Sequence, residues 1–414
     1  MNSLPQFIDD LPDEEELLEK RASERRRLFT ASVDTYLLLT VGILVAIGLM
    51  MVWSTTFYWS EPQSAIFLQQ LRNAFLGFVV MSILALIDYR LWRRMAIPMM
   101  GVTILLLAAV LVVGDTVFGA RRAFFGGAVQ PAEVAALVVV IYMSAWLTSK
   151  QTRLKNLTYG LLPFALLVGI VAGLILMEPD ISTAVMVLAT ASIMFFLAGA
   201  DWRQLGIAFV AFVIVGLVAI SQFDYARARV ESFFDLLRDP LTANDHAQAA
   251  IIGFLNGGIG GVGLGESRQK FEQLPTPHTD SIFAVIGEEL GLAGCALVVG
   301  LYVVLMVRGF RIAKNAPDLF GGLLASGITV SIVVEALFNI AVMASVVPFT
   351  GVPLPFISFG GSSLVSSLAS MGILISISRA TVRKSVPTRK VNETLSLPGM
   401  RATISRVRQK PTEG

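Results

Sequence analysis

Apolar stretches about as long as a membrane is thick alternate with short polar stretches along this chain. The apolar windows lie near residues 34–54, 67–87, 95–114, 131–148, 157–177, 181–199, 204–222, 282–307, 323–347 and 361–381. A helix needs roughly 20 apolar residues to cross the hydrocarbon core of a bilayer. The pattern therefore predicts an all-α polytopic membrane protein with about ten transmembrane helices.

Basic residues cluster on one side of the predicted bundle. The clusters contain Arg25, Arg26, Arg27, Arg90, Arg93, Arg94, Lys150, Arg153, Lys155, Arg308, Arg311, Lys314, Arg379, Arg383 and Lys384. Loops rich in lysine and arginine stay on the cytoplasmic side of a membrane. We therefore expect a multi-pass protein with both termini in the cytoplasm.

The same pattern divides the chain into three regions. They are a charged cytoplasmic N-tail over 1–32, a transmembrane domain over 33–381 and a basic cytoplasmic C-tail over 382–414. The N-tail is too charged for a signal peptide and has no apolar core, so the first span is expected to be an uncleaved anchor.

A long extracytoplasmic loop is predicted over 223–281, between spans seven and eight. Connections of this length are usually functional or disordered. Residues 225–237 mix phenylalanine and leucine with charges, which is typical of an interfacial helix. Residues 247–255 are apolar enough to re-enter the membrane surface if protein buries their backbone.

Composition agrees with a membrane protein and excludes several other classes. Hydrophobic residues make up 55% of the chain and charged residues only 15%. The net charge of +2 indicates no particular partner, and we expect no nucleic-acid partner. One cysteine (Cys295) and two histidines (His246 and His278) do not suggest a zinc site. Magnesium, which carboxylates and water bind, remains an open alternative.

The stretch from Gly258 to Gly263 matches the dinucleotide-binding pattern G-x-G-x-x-G. No strand precedes it, and no Gly-Lys-Ser/Thr follows it, so we expect no nucleotide cofactor. A tightly turning loop is the favoured interpretation. The alternative is a glycine-rich backbone that approaches an anionic group through its N–H donors.

Asp280 lies where the polar end of the long loop meets the predicted eighth span. With Thr279 and Ser281 it fits a helix cap, which stabilises a helix by about 1 kcal/mol. It also fits a catalytic carboxylate, and the residues alone leave both interpretations open.

Glu288 and Glu289 follow on what the pattern predicts to be a continuous membrane helix. On such a helix Glu288 lies about 80° around from Asp280 and Glu289 lies nearly opposite. The two glutamates are then expected to face different environments, and we expect at least one to pair with another span.

Further polar residues lie at or within the predicted spans. Arg121 and Arg122 oppose the charge bias, so they either bind phosphate or lie at the interface with extended side chains. Glu133 is a first-turn helix acid or the partner of these arginines. Glu335 and Asn339 share a helix face and favour interhelical hydrogen bonds.

A short outer turn carries two more acids. Glu178 and Asp180 flank Pro179, and the sequence suggests only that both acids are solvated.

Together these segments resemble the SEDS family (shape, elongation, division and sporulation), the RodA/FtsW-type glycosyltransferases that polymerise lipid II. The resemblance covers roughly residues 33–381. Its most specific motifs are Gly263–Lys270, Leu274-Pro275, His278–Ala284, Gly287–Gly291 and Thr350–Ser363.

The resemblance implies that Asp280 is the essential aspartate, acting as a general base or as a ligand of a divalent cation, Mg²⁺ or Mn²⁺. It implies a substrate-binding set of Arg121, Arg122, Glu133, Ser267, Arg268, Gln269, Lys270, His278, Thr279, Glu288, Ser358, Gly360 and Gly361. It further implies the bacterial cytoplasmic membrane, a class B penicillin-binding protein as the partner transpeptidase, and other divisome or elongasome components.

The chain departs from the family pattern in four segments. Ala136 stands where the family has a lysine, and Glu178 and Glu335 stand where it has glutamine. Asp245-His246 replaces a Tyr-Gln pair. These changes are expected to alter metal use, pairing or substrate handling.

The leading functional hypothesis is therefore a lipid II polymerase for cell division or for elongation and shape. The residues of the motif Ile286–Glu289 slightly favour division. A flippase for lipid-linked precursors is the alternative, because it would also carry acids in its spans. A scaffold that only recruits the transpeptidase is the third interpretation.

Overall fold

A computed structural model of the protein describes residues 34–56, 63–117, 120–124, 126–127, 129–151, 154–222, 224–238, 245–272 and 277–385. The predicted N-tail and nearly all of the predicted C-tail lie outside the described residues. The helices are α1 (Thr35–Thr56), α2 (Gln63–Leu86), α3 (Arg90–Val113), α4 (Pro131–Lys150), α5 (Leu162–Met177), α6 (Ile181–Leu197), α7 (Trp202–Gln222), α8 (Asp224–Arg238), α9 (Asp245–Gly257), α10 (Gln269–Glu272), α11 (Ile282–Glu289), α12 (Gly291–Lys314), α13 (Leu319–Met343) and α14 (Gly361–Ser385).

The predicted fold class is confirmed, since the described chain is a bundle of long apolar helices. Eight helices are long and apolar enough to cross a membrane, including α5 with the π-helical turn Leu157–Leu161 that precedes it. The shorter apolar helices α6 and Trp202–Val218 lie where two further spans are predicted. The number ten therefore stays a prediction.

The helix α13 lies at the centre of the bundle. It packs against α4, α6, α12 and α14. Its own interior residues, among them Leu324 and Ala325, are completely buried. Polar groups on α13 are consequently held in place by several neighbouring helices.

The eighth span is not one continuous helix, so the predicted range 282–307 is wrong in that respect. The short helix α11 ends at Glu289, and α12 begins at Gly291, whose φ is +66°. A β-carbon on Gly291 would lie 2.6 Å from the carbonyl oxygen of Ile259. The helix therefore breaks where the glycine-rich segment 258–263 crosses it.

The glycine-rich segment caps both helices at this break. The N–H groups of Val262 and Gly263 donate to the carbonyl oxygens of Glu288 and Glu289 at 3.0 and 3.1 Å. In return, the carbonyl of Gly258 accepts the N–H of Leu292 at 2.9 Å. These are the groups that helix ends leave without partners. The interpretation as a tightly turning loop is thus confirmed, because Gly258, Gly261 and Gly263 all have positive φ.

Most of the described part of the predicted 223–281 loop is helical. The predicted interfacial helix coincides with α8, and the predicted re-entrant stretch coincides with α9. The helix α9 packs against α11 and also contacts α12 and α13. Its residues Ala249 and Ala250 are buried, as backbone near a membrane requires.

A small hairpin that the hydrophobic pattern did not predict lies between α3 and α4. Its strands β1 (Asp115–Val117) and β2 (Ala120–Ala123) pair antiparallel, with Thr116 opposite Arg121. The hairpin contacts α3 and α4. It thereby places Arg121 and Arg122 beside the first turn of α4.

Candidate active site

The backbone around Asp280 is held by side chains from two other parts of the chain. The amide nitrogen of Asn339 on α13 donates to the carbonyl oxygen of Asp280 at 2.9 Å and to that of Val352 at 2.7 Å. The hydroxyl of Ser358 donates to the carbonyl oxygen of Thr279 at 2.6 Å. These hydrogen bonds fix the main chain and leave the Asp280 carboxylate out of the backbone network.

The segment 350–360 supports this arrangement. The Ser358 hydroxyl also accepts the N–H of Leu354 at 2.7 Å, and the Gln70 amide donates to the Ser358 carbonyl oxygen at 3.2 Å. The N–H of Phe359 donates to the carbonyl oxygen of His278 at 2.8 Å. Ser358 therefore positions the Thr279 backbone, and its predicted contact with substrate stays a prediction.

The carboxylate of Asp280 lies in a half-buried position. One oxygen accepts a hydrogen bond from the Thr279 hydroxyl at 2.8 Å. The other lies where a β-carbon on Gly351 would be only 3.2 Å away, so glycine leaves room beside it. The N-cap of α11 is Ser281, and its side chain makes no capping hydrogen bond.

His278 lies beside this carboxylate with its ring edge towards Phe359, the two ring centroids being 5.4 Å apart. Burial lowers the pKa of His278, and the negative charge of Asp280 partly opposes this effect. The imidazole is therefore neutral at neutral pH, so it provides a hydrogen-bonding group rather than a fixed charge.

A cavity lies next to this segment, with Val352 and Pro353 in its lining. Its lining residues are Glu133, Ala136, Val139, Thr183, Met186, Val187, Thr190, Ser331, Glu335, Val352 and Pro353. Val352 connects the cavity to Asp280, because the Asn339 amide binds the carbonyl oxygens of both residues. Ala136, where the resemblance leads one to expect a lysine, lines this cavity together with Glu133 and Glu335.

The hairpin separates the two candidate arginines. Neighbouring residues of a strand point to opposite faces. Arg121 is exposed and donates to the Val112 carbonyl oxygen at 3.4 Å, whereas Arg122 is half-buried within electrostatic range of Glu133. The predicted pairing of Glu133 with these arginines stays a prediction, with Arg122 the nearer candidate by its electrostatic influence on Glu133.

A cluster of buried polar residues surrounds the two glutamates at the end of α11, and we call this cluster the latch. It consists of Ser54, Ser267, Lys270, Glu288 and Glu289. Glu288 accepts hydrogen bonds from the Ser267 hydroxyl and, at 3.2 and 3.4 Å, from the N–H groups of residues 268 and 269. Glu289 pairs with Lys270 at 2.8 Å and accepts the Ser54 hydroxyl. All five latch residues are buried.

The latch corrects one expectation about the two glutamates and confirms another. Because the helix ends at Glu289, segment 267–270 reaches both carboxylates, and the expectation of two different environments is wrong. The expected bond with another span is confirmed by Ser54 on α1. Arg268 presents an exposed side chain, whereas Gln269 is buried.

The remaining candidates have more peripheral positions. Gly360 precedes Gly361, which begins α14, and the Gly360 carbonyl accepts the N–H of Leu364 at 3.2 Å. Asp180 accepts the N–H and the hydroxyl of Thr183 at 3.0 and 2.8 Å, so it caps α6. Glu178 is completely buried, and the expectation that it is solvated is wrong.

Some residues that build the site escaped sequence reasoning. Gln70 is remote from Asp280 in sequence and carries no signal of its own, whereas Gly351 lies in the motif Thr350–Ser363 but had no predicted contact with Asp280. Among the described residues, no group of three histidine, cysteine or acidic side chains is placed to hold a metal ion. A divalent cation at Asp280 would therefore need substrate phosphates as further ligands, and it stays a prediction.

Comparison with known proteins agrees with this geometry. The profile of the cell cycle protein family FtsW/RodA/SpoVE matches residues 34–383. The chain belongs to this family. It is 38% identical over 363 residues to the probable peptidoglycan glycosyltransferase FtsW of Trichlorobacter lovleyi, covering 86% of this chain and 95% of that protein. It is 35% identical to stage V sporulation protein E of Bacillus subtilis, covering 84% of this chain and 97% of that protein.

Two solved structures share the fold. One is that of a peptidoglycan synthase complex which coordinates polymerization and crosslinking, with a TM-score of 0.70, 30% identity, and 84% of this chain and 98% of that chain covered. The other is the rod shape determining protein RodA of Thermus thermophilus, with a TM-score of 0.63, 30% identity, and coverage of 84% and 97%. These likenesses support a multi-pass membrane protein.

Proposed function

We propose that this protein is a peptidoglycan glycosyltransferase that polymerises lipid II into glycan strands. The observation that carries the proposal is the Asp280 carboxylate, whose backbone is fixed by Asn339 and Ser358 beside a cavity that Glu133 and Glu335 help to line. The names of the FtsW relatives and the family match support the same activity.

The reaction joins two lipid-linked sugars. The 4-hydroxyl of one sugar attacks the anomeric carbon of the other, a new C–O bond forms, and the bond to undecaprenyl diphosphate breaks. Asp280 takes the hydroxyl proton as general base. Arg122 balances negative charge on the departing diphosphate, since guanidinium binds phosphate oxygens in a bidentate manner.

A divalent cation, Mg²⁺ or Mn²⁺, is a separate proposal. Mg²⁺ is typically held by one or two carboxylates together with substrate phosphates. Asp280 and the diphosphate of a bound substrate would be its ligands here, and when bound it would neutralise diphosphate charge. The proton transfer above does not depend on it.

The protein is proposed to lie in the bacterial cytoplasmic membrane with both termini in the cytoplasm. Its proposed partner is a class B penicillin-binding protein, which the similarity to a synthase complex supports. Relatives named FtsW favour a role in division, and the RodA likeness keeps elongation as the alternative. Localising a tagged copy at midcell or along the side wall separates the two roles.

The test is a polymerisation assay. Purified full-length protein given lipid II and a divalent cation is expected to form glycan polymer, and Asp280→Ala is expected to form none. Glu266→Ala is the matched control, because Glu266 is an exposed acid of the same region. Transport of lipid II across vesicles without polymer would favour the flippase, and an Asp280→Ala protein as active as the wild type would overturn the role of Asp280.

A further inference from the structure

A second cavity lies beside the last turn of α13. Its lining residues are Arg229, Ser232, Phe233 and Leu236 of α8, Ala250 of α9, Val342 and Met343 of α13, and Ser345, Val347 and Phe349. Val342 and Met343 follow Asn339 by about one helical turn. The cavity therefore lies one turn beyond the amide that binds the Asp280 backbone.

The polar groups of this cavity suit an anion. Arg229 is the only charged residue among the described lining residues, and its guanidinium carbon lies 6.0 Å from the centre of the Phe349 ring. Ser232 and Ser345 add two hydroxyl donors. The lining contains no carboxylate, and the acids Glu231 and Asp235 of α8 are exposed.

Ser345 gives an independent sign of a ligand. Its hydroxyl oxygen is buried and has no hydrogen-bond partner among the described residues. Its φ of +58° belongs to the turn that ends α13, in which its N–H donates to the carbonyl oxygen of Val342 at 2.9 Å. A buried hydroxyl without a partner costs about 1–3 kcal/mol. A phosphate oxygen in the cavity would accept a hydrogen bond from this hydroxyl.

The rest of the lining suits a hydrocarbon chain. Leu236, Val342 and Met343 are 5%, 5% and 2% exposed. Phe234 and Val346, next to lining residues in sequence, are 53% and 67% exposed. The cavity thus lies close to the protein surface, where an amphipathic helix such as α8 meets lipid.

We infer that this cavity binds the diphosphate of the acceptor, the lipid-linked sugar whose own diphosphate stays attached during the reaction. The assignment rests on the proposed function, which requires two lipid diphosphates near one aspartate. The departing diphosphate gains negative charge and is assigned to Arg122. The intact one needs only ground-state binding, which one guanidinium and two hydroxyls provide.

The test counts lipid II molecules on the full-length protein in detergent by native mass spectrometry, in an Asp280→Asn background that prevents turnover. Two bound molecules are expected. Arg229→Gln should weaken one of them about tenfold, the loss of one charge-assisted contact. Ser232→Phe, which fills the cavity, should remove the same molecule. Arg227→Gln is the control, because Arg227 is exposed on the same helix.

Competition identifies the source of the phosphate. An excess of phosphatidylglycerol or of inorganic diphosphate should leave the Arg229-dependent molecule bound. Displacement by phosphatidylglycerol at equal concentration would make this a general phospholipid site and would overturn the acceptor assignment. Binding that neither Arg229→Gln nor Ser232→Phe changes would also overturn it.

Kinetics separate this inference from the proposed function. With Asp280 intact, Arg229→Gln should raise the lipid II concentration for half-maximal polymerisation about tenfold and change the maximal rate less than about twofold. A wild-type protein that binds lipid II through Arg229 but forms no polymer would refute the glycosyltransferase assignment and leave the lipid diphosphate site standing.

Discussion

Asp280 and the latch glutamates lie close together in sequence, yet the fold treats their carboxylates differently. Glu288 and Glu289 are buried. They accept hydrogen bonds from the hydroxyl of Ser54 and from hydroxyl, backbone N–H and ammonium groups of residues 267–270. Asp280 is held mainly through its backbone, and the carboxylate is half-buried next to Gly351. Buried carboxylates that several donors bind stabilise structure, whereas a half-buried carboxylate fixed through its backbone is the better candidate for contact with substrate.

The largest expected effect separates these two kinds of carboxylate. Asp280→Asn should reduce polymerisation about 10²–10⁴-fold, the usual contribution of a general base. Its melting temperature should change little, because the bonds to Asn339 and Ser358 involve only main chain. Initial rates and thermal unfolding in detergent measure the two effects. A large loss of stability without loss of rate would place Asp280 with the latch.

The latch should show the reverse behaviour. Lys270→Met leaves the buried Glu289 carboxylate without its counter-charge, which typically costs about 3–5 kcal/mol of stability. The double variant Lys270→Met, Glu289→Met should recover most of this loss, because both charges are removed together. Thermal unfolding of the single and double variants provides the measurement, with Glu266→Ala as the control. An unchanged single variant would show that the ion pair does not hold the latch.

The contrast also explains which features the sequence could reveal. Hydropathy located the long helices and the interfacial helix α8, because burial in lipid dictates their composition. The break after Glu289 was missed because it depends on segment 258–263 crossing the helix, a contact between distant parts of the chain. For the same reason the sequence could place Lys270 near the site but could not show that its partner is Glu289.

The arginines illustrate the same limit. Arg121 and Arg122 are identical in type and adjacent in sequence, so sequence reasoning treated them together. Only the unpredicted hairpin shows that the two differ, since Arg121 is exposed and Arg122 is half-buried. Resemblance identified Asp280, because its motif is intact. The resemblance did not reveal the role of Asn339, because that role depends on a tertiary contact.

Asn339 positions the Asp280 backbone, and its replacement is expected to have a smaller effect. Asn339→Leu leaves the carbonyl oxygens of Asp280 and Val352 without their common donor, at a cost of about 1–3 kcal/mol. A looser Asp280 should lower kcat about tenfold with little change in KM, because positioning rather than binding is lost. Asn256→Ala, an exposed amide on α9, is the control. A rise in KM with an unchanged kcat would contradict the positioning role.

Glu178 is a third kind of carboxylate, one that is buried without hydrogen-bond donors among the described residues. Its replacement is expected to have the smallest effect. Neither oxygen has a hydrogen-bond partner among the described residues. Burial, together with the smaller effect of the negative charge of Asp180, raises the pKa of Glu178 to about 8. The folded protein therefore binds a proton that the unfolded chain releases near its ordinary pKa of 4.5.

The sign of the pH dependence follows from this difference. The stability that the neutral acid contributes is complete below the unfolded pKa and is lost as pH rises through the folded pKa, by at most about 1.4 kcal/mol per pH unit. The melting temperature should thus fall between about pH 6.5 and about pH 7.5. Glu178→Gln should remove this slope, because glutamine is neutral and nearly isosteric. A wild-type slope that Glu178→Gln leaves unchanged would mean that Glu178 is ionised in the folded protein and has donors like those of the latch.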